Sequence, residues 1–177
     1  MKDKNIIRFN KKAQEWLNFL ELIDEDTVLK NPHPKSWSLS ELYDHVVKVA
    51  ITYQIPNALK EMTDERELKK AQNPFAFLLF DLNVLPRLNI KMENFPPDLV
   101  AKFTPEKHSK AEVITNFKRL IELVHETAQQ LNNVTKTDRT YHPMFGTITA
   151  KKWFRLIEIH LRHHDKQRFR ILKQLRP

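Results

Sequence analysis

The sequence predicts an all-α fold, an antiparallel four-helix bundle with a long crossover connection, from three observations. Gly146 is the only glycine among 177 residues, so backbone positions with φ > 0 are hard to fill, which argues against an all-β chain of tight turns. Apolar residues recur at three- and four-residue spacing over segments of helical length. Two Ser-x-x-Glu patterns, Ser38 to Glu41 and Ser109 to Glu112, have the form of capping boxes that satisfy free backbone donors at a helix start. At this length one domain spanning 1–177 with a sizeable core is expected.

The elements follow in order. From about Asn10 to Asp24, the residues Trp16, Leu17, Phe19, Leu20, Leu22 and Ile23 with interspersed charge read as a first amphipathic helix, its end marked by Asp24, Glu25 and Asp26. Asn31-Pro32-His33-Pro34 must be a loop, because each proline lacks a donor and restricts the residue before it. His33 is accordingly an exposed loop residue. A long second helix starts at Ser38, with Leu42, His45, Val46, Val49 and Tyr53 on its buried side. Pro56 should kink or end it, although the sequence to Met62 still reads as helical.

A short charged turn is expected around Asp64 to Glu67. Phe75 to Leu85 is apolar nearly all round, which suits a helix buried on several sides or in an oligomer contact, and so leaves a homodimer open. The prolines between Pro86 and Pro105 indicate a long irregular connection of the kind that often borders a site. From Ser109, the residues Val113, Phe117, Leu120, Ile121, Val124, Ala128 and Leu131 line a third long helix. His108 before its cap and His125 beside its stripe are expected at the surface or boundary. A polar loop from Asn132 then leads through Tyr141 to Gly146 into the last helix.

That last helix, Thr147 to Gln174, carries most of the charge. Between Lys151 and Arg176 nine basic residues face two acidic ones, a net +7 in a chain of net +8. Lys152, Arg155, Arg162, Lys166 and Lys173 recur on the face opposite His160 and His164, which is expected to be a solvated outer face. The rival expectation for the chain is a non-catalytic metal-binding or structural bundle in which this basic face docks an acidic partner. Nucleic acid is not expected, because no recognition motif is present and no aromatics interleave the basic row.

His160 and His164 fall about 40° apart on a helix, on the side of Trp153, Ile157 and Ile171. A stripe facing a core normally holds aliphatic residues, since a buried imidazole needs partners for both nitrogens. His163 lies at the margin of that face, outside the candidate ligand set. His45 is a third inward imidazole, and it meets the other two if the second and last helices are neighbours. Each histidine alone reads equally as a satisfied core residue, but three neutral imidazoles match the ligand set of a divalent ion with an open position. Such an ion lowers the pKa of bound water toward about 7, or binds a thiol as thiolate. Glu158 and Asp165 are expected to point outward and Asp44 lies off the stripe, so Asp81 or backbone carbonyls are left to support the imidazoles.

The absence of cysteine excludes disulfides, thiolate ligands and a cysteine nucleophile. No Ser-His-Asp set or serine elbow is evident. The charged N-terminal residues lack the apolar core of a signal peptide, and no run reaches the ~18 apolar residues of a membrane span, so a soluble cytoplasmic protein is the default expectation.

Trp37-Ser38 followed by His45, then His160-x3-His164, resembles the DinB superfamily of three-histidine, metal-binding four-helix bundles, including its YfiT-like hydrolases. The closing run His142-Pro143-Met144-Phe145-Gly146, with Thr149, Trp153, His160, His163, His164 and Gln167 at their spacings, resembles an uncharacterised subgroup. The resemblance spans the chain from Trp37 onward. It implies a divalent metal, commonly Zn, Ni or Fe, on His45, His160 and His164. It further implies hydrolysis, or S-transfer or isomerisation with a low-molecular-weight thiol such as bacillithiol, mycothiol or glutathione. No motif identifies the small-molecule substrate.

Overall fold

The computed structural model describes residues 4–60, 74–84, 96–131 and 139–175. The expected charged turn at Asp64, the helical continuation to Met62, Leu85, the start of the connection after Pro86 and the polar loop from Asn132 lie outside these residues. Helix α1 spans Lys4–Glu21, beginning a turn and a half before the expected Asn10. Its apolar stripe extends to Phe9, which is buried, with Ile6 packed against the core behind it. Asp24 does more than end this helix. Its side chain accepts from the Thr27 amide and caps a short helix α2, Glu25–Leu29, an arrangement that satisfies a free donor.

Helix α3 covers Leu39–Val49 and opens with the complete Ser38/Glu41 capping box. A π-helical turn, Ala50–Gln54, leads directly into α4, Ile55–Leu59. Pro56 explains the turn: it has no N–H, and its ring would meet the carbonyl four residues back in a regular helix. One wider turn relieves both problems, so the helix continues past the proline. Helices α5, Pro74–Phe80, and α6, Pro97–Phe103, lie on the connection to α7, Lys110–Gln130, which carries the second complete capping box at Ser109 and Glu112. Part of the expected irregular connection is therefore helical, with Pro97 in the first turn, where a missing N–H costs nothing.

The chain then forms an antiparallel hairpin, β1 Arg139–His142 and β2 Gly146–Thr149, paired Arg139 to Thr149 and His142 to Gly146. The sequence reading had only a loop here. Gly146 sits at φ 72°, a left-handed position that closes the three-residue turn and that a Cβ would penalise. Helix α8, Ala150–Leu175, follows without a break.

Helices α1, α3, α7 and α8 form the bundle, with α1 and α3 each packed on both α7 and α8. Lys12 meets Asp165 and Phe19 meets Phe169, so α1 and α8 run parallel. Tyr43 meets Phe117 and Ser40 meets His108, so α3 and α7 also run parallel, and the two pairs oppose one another. The long crossover is what permits this, because it returns the chain to its starting end before α7 begins. The core contains the buried rings of Trp16, Tyr43 and Phe117, in mutual contact, and the Tyr43 hydroxyl donates to the Trp16 carbonyl at 2.7 Å. Each large side chain buried this way contributes about 1.5–3 kcal/mol.

Among the described residues no helix is long and apolar enough to cross a membrane. Leu120 is 0% exposed and Leu22 85%. In equilibrium denaturation Leu120→Ala is expected to cost about 2–5 kcal/mol and Leu22→Ala less than about 0.5 kcal/mol.

Candidate metal centre

The packing of α3 against α8 brings His45 to His160 and His164. One ring nitrogen from each lies within 4.8 Å of the others, and the Nε2 atoms of His160 and His164 are 3.0 Å apart. The one-turn spacing on α8 places the latter pair on one face, and their ring centroids lie 5.2 and 5.1 Å from that of His45.

The outer nitrogens determine what the inner ones can do. His45 Nδ1 donates to the Phe103 carbonyl at 3.0 Å, and His164 Nδ1 donates to Gln167 Oε1 at 2.9 Å. Both rings therefore keep an unprotonated Nε2, and that of His164 accepts from His160 Nε2 at 3.0 Å. His160 Nδ1 has no partner among the described residues. The backbone carbonyl expected behind an imidazole is thus supplied by Phe103, at the end of α6. Asp44 anchors the segment that follows: its carboxylate accepts from the Glu106 amide at 2.6 Å and pairs with Lys48 and His108. Asp81 instead pairs with Lys152.

Burial holds all of these rings in the neutral form. It pushes His45 below the ordinary imidazole value, against the opposing pull of the Phe103 carbonyl and Asp44. His160 is driven well below it by burial and then by the neighbouring His164, His45 and His163, and His164 falls to about 3 from burial and the adjacent histidines. His163 is half-buried, 4.9 Å ring to ring from His164, and outside the trio. His33 and His125 are exposed, and His108 sits at the boundary beside Asp44.

The trio opens on a cavity of about 870 Å³. Trp37 packs on His45 at 4.8 Å between ring centroids, which gives the tryptophan of the sequence motif a contact at the site. His142, on β1, also lines the cavity. It is buried against Trp153 and Phe145, and its Nδ1 accepts from the Met144 amide at 3.1 Å. That bond assigns its proton to Nε2, so His142 is a neutral donor, with burial lowering its pKa to about 3. Sequence spacing leaves this role unread. The β-branched and aromatic residues flanking a Pro-to-Gly turn are the signal for the hairpin that orients the ring.

Two expectations about α8 are corrected. Glu158 is buried and paired with Arg162, while Asp165 turns to α1, accepting from Trp16 Nε1 at 2.8 Å and from Lys12 at 2.8 Å. Neither points outward, because α8 is covered on more than one side. The basic row is divided for the same reason. Lys152 pairs with Asp81, and Arg155 donates to the Phe80 carbonyl and to Asn83. Arg162 and Lys166 line the cavity beside the histidines rather than an opposite face.

A four-helix bundle that brings three imidazoles together beside a large cavity has the donor set that could hold a divalent ion. The chain belongs to the DinB superfamily, whose family model matches residues 8–167. Among curated proteins none matches the chain.

His142 and His164 are neutral in the fold down to about pH 3, whereas in the unfolded chain they take up protons near 6.5. The unfolded state therefore binds more protons below 6.5, so stability is full above that value and is lost as pH falls toward 3. Denaturation midpoints of metal-free protein are expected to be flat from pH 7 to 8 and to fall below 6.5. Each such imidazole adds up to about 1.4 kcal/mol per pH unit to that fall, and His142→Asn is expected to make the decline shallower.

Proposed function

We propose that the protein is a metal-dependent enzyme in which His45, His160 and His164 hold one divalent ion, and that water or a low-molecular-weight thiol is the nucleophile in hydrolysis or S-transfer. The observation that carries this reading is the donor set: three neutral imidazole nitrogens within 4.8 Å, two of them with their outer N–H already committed to Phe103 and Gln167. An all-nitrogen set favours Zn, Ni or Fe over Mg or Ca, which prefer oxygen. Bound there, such an ion supplies Lewis acidity that brings water or a thiol to its nucleophilic form near neutral pH.

The chain's own residues have separate tasks in this reading. Phe103 and Gln167 orient the His45 and His164 rings, a support that commonly governs metal affinity. Trp37 and Phe103 shield the His45 side of the cavity from water. His142 offers a neutral N–H to an acceptor on the substrate. Its proton stays in place throughout the neutral range, so this group binds and orients rather than titrates.

Elemental analysis of the untagged protein is expected to give about one equivalent of Zn, Ni or Fe, and none for the His160→Ala/His164→Ala double variant. Parent protein that is metal-free and also fails to bind added divalent ions would falsify the proposal. Gln167→Ala, which removes only the partner of His164 Nδ1, is expected to weaken metal binding about 10–100-fold in a competition titration, with the helical circular dichroism unchanged.

A further inference from the structure

The cavity has a pronounced electrostatic asymmetry. Among the described residues its lining includes Lys35, Arg162, Lys166 and Arg170 and no aspartate or glutamate. Arg162 is compensated by Glu158 at 3.3 Å. Lys35, Lys166 and Arg170 have no acidic partner among the described residues. Several cations on the rest of the fold are paired: Lys12 with Asp165 and Glu15, Lys48 with Asp44, Lys152 with Asp81. Three cations without an acidic partner among the described residues, together with the neutral imidazoles, give this lining a positive potential that concentrates anions.

Their placement gives the potential a direction. Lys166 and Arg170 are one turn apart on α8, and long helical side chains lean toward the N-terminus, here over the turn bearing His163 and His164. Lys35 stands two residues before Trp37, whose ring lies on His45. The cationic wall therefore borders the histidine trio. The other end of the cavity is apolar, lined by Phe75, Leu79, Met144 and Phe145, with Phe75 stacked on Phe145 at 6.2 Å. Along α8 the lining passes from Leu156 through the histidines to Arg170, about 20 Å at the helical rise.

We propose that the cavity takes an amphipathic organic anion, a carboxylate or phosphate monoester on an apolar chain or ring. Its charged group is held by Lys35, Lys166 and Arg170, and its apolar part lies against Phe75, Leu79 and Phe145. This deepens the enzymatic reading by naming the class of substrate, and it rests on that reading only for the term substrate. The binding itself depends on the cations and aromatics. A volume of about 870 Å³ suits a ligand of small-molecule size.

The test is calorimetric titration of the full chain, chelator-stripped and zinc-loaded, with octanoate, octyl phosphate, 1-octanol and octylammonium. The stripped protein is expected to bind octanoate or octyl phosphate at least tenfold more tightly than octanol, and octylammonium not at all. The tighter of the two anions identifies the head group. K166E/R170E, at exposed positions, and K35E are each expected to lose at least tenfold in anion affinity, and K152E, outside the cavity, less than twofold. Octanol binding as tightly as the anions overturns the proposal. So does anion affinity that survives K166E/R170E within twofold, or failure of every probe to bind. Anion binding seen only with zinc also overturns it, while leaving the metal reading supported.

Discussion

Placing three imidazoles side by side inside a helical bundle is tolerable only while all three remain neutral, and much of the architecture serves that constraint. The Phe103 carbonyl and the Gln167 amide oxygen each hold one proton on an outer nitrogen. Two inner nitrogens are thereby left as lone pairs without any positive charge being buried. The carbonyl comes from the last residue of α6, and Asp44 on α3 ties down the segment just after it, so the crossover sets the state of a ring on that same helix. Orientation of the site and closure of the fold are one problem here, solved by one set of bonds.

Helix α8 is where the demands of core, site and surface compete. Its core side carries Trp153, Ile157 and Leu161, and also Arg168, which is buried against the rings of Trp16 and Phe19 while paired with Asp165. A buried guanidinium is tolerable because it has both a carboxylate and aromatic faces beside it. Two other sides meet the α5 segment and the cavity. A helix contacted on three sides cannot show a simple two-faced pattern, and its charges are distributed by partner rather than by hydropathy.

The readability of the sequence follows that division. Both capping boxes, the inward positions of His45, His160 and His164 and the effect of Pro56 were legible because each rests on spacing within one helix. The all-α bundle and its crossover were legible for the same reason. The hairpin was not, since four-residue strands beside a proline present too short a pattern. The early start of α1 was obscured by Lys4 and Arg8 around Ile6. The inward course of Glu158 and Asp165, and the place of Arg162 and Lys166 at the cavity, depend on neighbours from α1, α5 and the cavity, which helical geometry alone does not specify. The Phe103 carbonyl had no signature at all, because a backbone oxygen is the same in every residue.

The parallel pairing of α3 with α7, and of α1 with α8, also governs when the site comes into being. His45 leaves the ribosome more than a hundred residues before His160, and at roughly 5–20 residues per second it waits several seconds or more for its partners. Its surroundings are incomplete until α8, the last long element of this sequence, docks against two helices already made. Contacts this distant in sequence are slow to form. A nascent chain therefore passes through a stage in which a solvated histidine and an uncovered apolar groove coexist, and closing that groove and assembling the trio are the same late event.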